Sequence, residues 1–140
     1  DLTSGTGAGE LFPQPSVTSR DKKGLLDSVC GAGWRLIVDA ERFGALTPSV
    51  ADKARQLGMT ILYLGSIDPR SDGHIIPLVE DDGILGRWFD ERKTSAAIVR
   101  PDHYVYAVAS NEESIERRLH DFNARLLRAI PGSATMERVA

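Results

Sequence analysis

The stretch AAIVRPDHYVYAVA, Ala96 to Ala109, decides how the chain is read. Runs rich in Ile, Val and Tyr flank Arg100-Pro101-Asp102-His103, the pattern of a β-hairpin closed by a tight turn. Pro101 presets the φ wanted at the first central position of a type I turn, and Asp102 suits the second. The next position in such a loop usually takes a left-handed conformation, where glycine is cheapest. His103 stands there instead, so the turn is expected to carry roughly 1 kcal/mol of strain.

C-terminal to the hairpin, Ser110 and Glu113 spell a capping box. Asn111, Glu112 and Glu113 place negative character at the positive end of a helix. Ile115, Leu119, Phe122, Leu126 and Ile130 recur at helical spacing until Pro131-Gly132 stops them, and Ser133 to Ala140 reads as a loose tail. Arg117, Arg118, Asp121 and Arg125 form the opposite, solvated face. On the N-terminal side, Ile84, Leu85, Trp88 and Phe89 share one face of a short amphipathic helix. Ser66 to Asp82 reads as a loop punctuated by Asp68-Pro69, Asp72-Gly73 and Asp81-Asp82-Gly83, with acids that miss the calcium-loop spacing. Thr60 to Leu64 (TILYL) and Trp34 to Val38 (WRLIV) read as buried strands. Between them a helix starts at Thr47-Pro48, carries Val50, Ala54 and Leu57 on one side, and closes at Gly58. Strand, helix, strand with short links is a right-handed crossover joining a parallel pair.

Further upstream, Leu25 to Val29 is expected to make one helical turn, ended by Gly31 and Gly33. The prolines of Leu11-Phe12-Pro13-Gln14-Pro15 impose an extended path, and Phe12 is expected to dock on the body formed later in the chain. Asp1 to Glu10 reads as a flexible lead-in, a linker or the cut end of a longer protein. Gly5, Gly7 and Gly9 lack the strand-then-helix setting that a dinucleotide-binding glycine pattern needs. The expected division is residues 1–15 as extended lead-in, 16–132 as one domain and 133–140 as tail.

Composition narrows the function classes. A chain of 140 residues can bury a core without metal or disulfide staples. The net charge of -3 leaves no basic footprint for nucleic acid, and no apolar run reaches membrane-span length. The single cysteine, Cys30, forbids an internal disulfide and any CxxC motif, which fits a cytoplasmic protein. His74, His103 and His120 are scattered over a loop, a turn and an exposed helix position, so no Ser-His-Asp constellation or histidine-ligand spacing can be argued. No catalytic, cofactor-binding or metal-binding residue is assigned from these patterns.

The order strand, helix, strand, helix, strand, strand, helix predicts an α/β fold with a mixed four-stranded sheet covered on both faces. From Trp34 to Ile130 that order resembles the thioredoxin fold. Thioredoxin-like enzymes carry a reactive cysteine at the start of the first crossover helix and a cis-proline just before the first hairpin strand. Here those positions hold Gly44-Ala45-Leu46-Thr47-Pro48 and Lys93-Thr94-Ser95, and Cys30 lies before the first core strand. The scaffold resembles a thioredoxin without CxxC, cis-proline or chemistry.

Three strings carry a narrower resemblance: GELFPQPSV at Gly9 to Val17, LLDSVCGAGWRLI at Leu25 to Ile37, and AIVRPDHYVYAV at Ala97 to Val108. They resemble the trailing domain of FAD-dependent aromatic-ring hydroxylases of the phenol hydroxylase and hydroxyphenylpropionate hydroxylase type. In that family the strings run roughly G-x-x-x-P-Q-P, L-D-x-x-G-x-G-F and R-P-D-G-Y-V. Trp34 replaces the usual Phe, and His103 the usual Gly. The resemblance implies a parent monooxygenase that binds FAD in an N-terminal domain, reduces it with NADH or NADPH, and transfers oxygen to a phenolic ring beside a middle substrate domain. It implies a non-catalytic accessory role for this piece, stabilising the parent and sometimes contributing homodimer contacts. None of the family's flavin-binding motifs lies in these residues. An exposed apolar patch around Phe12 or Trp88 would mark where the catalytic body docks. The alternative reading is a free-standing, redox-inactive thioredoxin-like module that binds a protein partner, and the sequence upstream of Asp1 discriminates the two.

Overall fold

The computed structural model describes residues 8–19, 22–26, 33–43, 46–65, 75–80 and 83–129. In chain order the elements are β1 (Ser16–Ser19), β2 (Lys22–Leu25), β3 (Arg35–Asp39), α1 (Ala40–Phe43), α2 (Pro48–Gln56), β4 (Thr60–Leu64), β5 (Ile75–Glu80), α3 (Ile84–Arg92), β6 (Ala96–Val99), β7 (Val105–Ala109) and α4 (Glu112–Ala129). They build one seven-stranded sheet in the order β2-β1-β5-β4-β3-β6-β7. The expected four-stranded core is its β4-β3-β6-β7 part: β3 and β4 pair in parallel, while β6 runs antiparallel to both β3 and β7.

Alternation along β3 explains the layers. Leu36 and Val38 face Val50, Ala51 and Ala54 of α2 and Ile115, Leu119 and Phe122 of α4 in one buried cluster. Ile37 faces the other way, with Leu62, Ala97 and Val99, into a second cluster closed by Leu85, Trp88 and Phe89 of α3. A strand buried on both faces reads as a continuous apolar run, as RLIVD and TILYL do. Thr47 accepts a hydrogen bond from the Val50 N–H and Pro48 occupies the first turn, so α2 starts where its sequence says it should. Gly58, at φ +86°, closes it in the left-handed region.

Several expectations are corrected. Ile75–Glu80, expected within a loop, is strand β5, parallel to β4 with Leu78 fully buried; residues 66–74 and 81–82 lie outside the described residues. Of Leu25 to Val29, expected to make one helical turn, Leu25 instead ends β2 opposite Ser16 and Leu26 is helical, while residues 27–29 lie outside the described residues. The sheet is therefore wider than four strands. Gly9 and Glu10, expected in a flexible lead-in, are held to β7 by backbone hydrogen bonds. The cap of α4 is shifted by one residue: Asn111 accepts from the Ser114 N–H at 2.8 Å, and the Ser114 hydroxyl oxygen accepts from the Asn111 N–H at 3.1 Å. Asn111 and Ser114, not Ser110 and Glu113, form the reciprocal pair. Within the charged face of α4, the Arg118 Nε donates to the Val108 carbonyl and the Arg125 guanidinium lies over the Tyr106 ring. Residues 130–140, with the stop signal and the tail, are not described.

Candidate functional site

In a thioredoxin-like enzyme the chemistry sits where the first crossover helix begins, against the start of the hairpin's first strand. Here that pole is filled by structural contacts. The Leu46 N–H donates to the Tyr63 hydroxyl at 2.5 Å, inside the core. The Glu112 carboxylate reaches across from α4. One oxygen accepts from the Thr47 N–H at 2.8 Å, and the other accepts from the Thr47 hydroxyl at 3.0 Å. A carboxylate thus lies at the positive end of α2, the place where a thiolate would be stabilised. Opposite, Thr94 and Ser95 replace the proline, and no peptide bond among the described residues is cis. Their backbone N–H groups donate to Phe89 and Ala109 carbonyls, and their hydroxyls to the Ala109 and Ser110 carbonyls. Both side chains are buried.

The other helix starts are likewise satisfied from within. Glu80, at the end of β5, accepts from the Leu85 and Gly86 N–H groups at 2.6 and 2.8 Å and so occupies the N-terminus of α3. A helix N-terminus with free N–H groups is a ready site for a phosphate, and at α2 and α3 the chain's own carboxylates take that place. Beside Thr94 a concavity of about 320 Å³ is lined by Arg92, Lys93, Ser110, Asn111, Ser114 and Arg118, among others. It holds cations and hydroxyls but no thiol or imidazole, so it offers no nucleophile-base pair. His103 is half-buried in the turn and His120 is exposed on α4; His74 and Cys30 lie outside the described residues, and no metal-binding cluster exists among those described.

The strings that carry the family resemblance converge elsewhere. The segment from Gly9 to Pro15 crosses to the hairpin and pairs with it: Gly9 N–H to Val105 O at 2.8 Å, Val105 N–H to Glu10 O at 2.8 Å, and Phe12 N–H to His103 O at 2.7 Å. Gln14 Nε2 lies 3.3 Å from His103 Nδ1. His103 takes φ +73° as the turn demands, and Asp102 accepts from both the Tyr104 N–H and the Arg100 guanidinium. Phe12 docks as expected, edge-on to Trp88 at 5.0 Å between centroids. Arg92 lies over the Trp88 ring and donates to Glu10, binding strap, hairpin and α3 into one corner. Phe12 and Trp88, around which an exposed patch was expected, are themselves buried at 1% and 6% exposure. The apolar side chains left outside at this corner are Leu11 and Tyr104. Sequence reading missed Leu11, Glu10 and Arg92 as partners because the pairing spans most of the chain.

Fold and pole together define a thioredoxin-like domain without the thiol apparatus of the class. A family model described as the HcaD C-terminal domain matches residues 9–125, and the chain belongs to that family. A probable NADH-specific resorcinol 4-hydroxylase from Rhodococcus jostii (strain RHA1) is 29% identical over 109 residues, covering 72% of this chain and 19% of that protein. Solved structures with the same fold include the peroxidoxin BcpB of Mycobacterium tuberculosis, with TM-score 0.59, 11% identity, and coverage of 85% of this chain and 97% of that one. The thioredoxin domain of a thiol-disulfide oxidoreductase from Bacteroides vulgatus gives TM-score 0.55 at 11% identity, covering 82% and 96%. The chain therefore spans about a fifth of the curated hydroxylase it matches. No helix among the described residues is long and apolar enough to cross a membrane.

Proposed function

We propose that this chain is the non-catalytic accessory domain of a cytoplasmic FAD-dependent monooxygenase that hydroxylates phenolic compounds with NAD(P)H and oxygen. The observation that carries the reading is the match over 72% of the chain to a small part of a resorcinol hydroxylase, joined to membership of a family described as a C-terminal domain. The geometry supports it: Glu112 and Glu80 occupy the helix N-termini, and the position of a catalytic thiol is held by Leu46 and Thr47. FAD and the nicotinamide would be bound by domains outside these residues, and the aromatic pocket likewise. The role left to this piece is to stabilise the parent, cover its catalytic body and contribute subunit contacts.

The test is made on the full-length protein carrying this chain. It is expected to purify with bound flavin and to oxidise NADH or NADPH in response to a phenol such as resorcinol. The Cys30→Ser and Glu112→Gln variants are expected to keep hydroxylation per bound flavin unchanged. A full-length protein without flavin, or an order-of-magnitude fall in turnover per flavin on Cys30→Ser, would overturn the reading.

A further inference from the structure

A concavity of about 320 Å³ opens between the end of α3 and the start of α4. Arg92, Lys93 and Arg118 line it and no carboxylate does, in a chain whose net charge is -3. Arg92 is already matched, by Glu10 at 2.5 Å and Glu91 at 3.6 Å. Lys93 is exposed and forms no ion pair with any described residue. Its backbone is nonetheless fixed, at φ +54° and ψ +45°, in the left-handed region that favours glycine. Thr94 locks that bend through its N–H to the Phe89 carbonyl at 3.1 Å and its hydroxyl to the Ala109 carbonyl at 2.8 Å. Strained residues held in this way gather at ligand clamps. Arg118 is held as well: its Nε donates to the Val108 carbonyl at 3.1 Å, which spends one N–H of a fork that carries more. Asn111 Oδ1 accepts from the Ser114 N–H, so the Asn111 amide has its NH2 donors to spare. The Ser114 hydroxyl is spent, accepting from the Ser110 and Asn111 N–H groups and donating to the Asn111 carbonyl. What remains is dominated by donors, two of them on cations, and it calls for a ligand that accepts hydrogen bonds and carries negative charge.

We propose that this concavity binds a phosphate group, held by the Lys93 ammonium, the Arg118 guanidinium and the Asn111 amide. Ionised phosphate oxygens accept and do not donate, and a phosphate dianion suits a pair of cations. The carboxylates in the first turn of α4 do not compete, because Glu112 is bound at Thr47 and Glu113 is not part of the lining. The positive end of the 18-residue α4 adds to a field that the side chains supply. The volume is that of the smallest ligand clefts, which leaves room for the body of a small organic phosphate. All these groups lie in the described chain, so the site stands independently of the accessory-domain reading.

Titration of the isotope-labelled chain, residues 1–140, with inorganic phosphate at constant ionic strength, read from amide chemical shifts in NMR spectra, tests the site. The Lys93, Asn111 and Ser114 amides are expected to shift saturably, and chloride at the same ionic strength to leave them unmoved. Lys93→Gly suits the left-handed backbone and removes only the side chain with its ammonium. It is expected to weaken phosphate binding about ten-fold, the loss of one charge-assisted hydrogen bond. Lys53→Ala takes the same charge from the groove between α2 and α4 and is expected to leave binding unchanged. Phenyl phosphate separates the two sources of the group: tighter binding than inorganic phosphate assigns the site to an organic phosphate, equal or weaker binding to the free ion. Absence of saturable shifts at millimolar phosphate overturns the site. Binding that Lys93→Gly leaves intact, or that Lys53→Ala weakens equally, overturns it too, the second result reducing the effect to net charge.

Discussion

His103 shows how a costly residue is kept. Its φ of +73° lies in the region that favours glycine, and its ring meets Gln14 of the strap at 3.3 Å. Replacing it with glycine relieves about 1 kcal/mol of strain but adds a similar conformational entropy loss. His103→Gly is therefore expected to leave stability within about 1 kcal/mol of the parent in urea denaturation, because those effects offset each other. His103→Val, β-branched at the same φ, is expected to cost about 1–2 kcal/mol more in the same measurement. Tyr63→Phe removes the acceptor of the buried Leu46 N–H and is expected to lower stability by about 1–3 kcal/mol, read from the shift of the urea midpoint. The left-handed turn was legible because Pro101-Asp102 leaves the next residue little choice. The carboxylate of Glu112 on Thr47 was not, because 65 residues separate them and only the packing of α4 against α2 brings them together. The shifted cap is a local matter: Asn111 and Ser114 satisfy the helix start between them, one residue on from the expected pair.

Among the elements, the strap from Gly9 to Pro15 carries more than its length implies. Phe12 is its anchor, packed edge-on to Trp88 and Phe89. Phe12→Ala is expected to destabilise the domain by about 3–5 kcal/mol, and limited proteolysis should cut the strap faster than any other described segment. Equal protection of the strap in this variant would mean that its backbone bonds alone hold it. Leu119→Ala, in the cluster that joins α4 to the sheet, is expected to cost about 2–5 kcal/mol in thermal or urea unfolding without touching the strap. The core elements were legible because their periodicity is strong: TILYL, RLIVD and the α4 stripe permit few alternatives. The outer strands were not. SVTS and KKGL are short and polar, and they are strands only because β1 lies against β5 and β2 against β1. Pro77 interrupts the apolar run of β5, and pairing with β4 overrides it.

Across the molecule, a four-stranded core was read from element order, and three strands were added by tertiary pairing that the order does not encode. The pole that supplies chemistry in thioredoxin-like enzymes was legible as lacking its cysteine and proline; what fills it was not. Tyr63, Glu112, Thr94 and Ser95 turn that pole into part of the framework. A domain built this way can present surfaces and hold a neighbour, but it has no described group to exchange a disulfide. Insulin reduction by dithiothreitol, followed by turbidity with residues 1–140 shown to be folded by circular dichroism, measures this directly. The rate is expected to equal that of dithiothreitol alone. Reduction above that blank which disappears in Cys30→Ser would contradict a redox-silent fold.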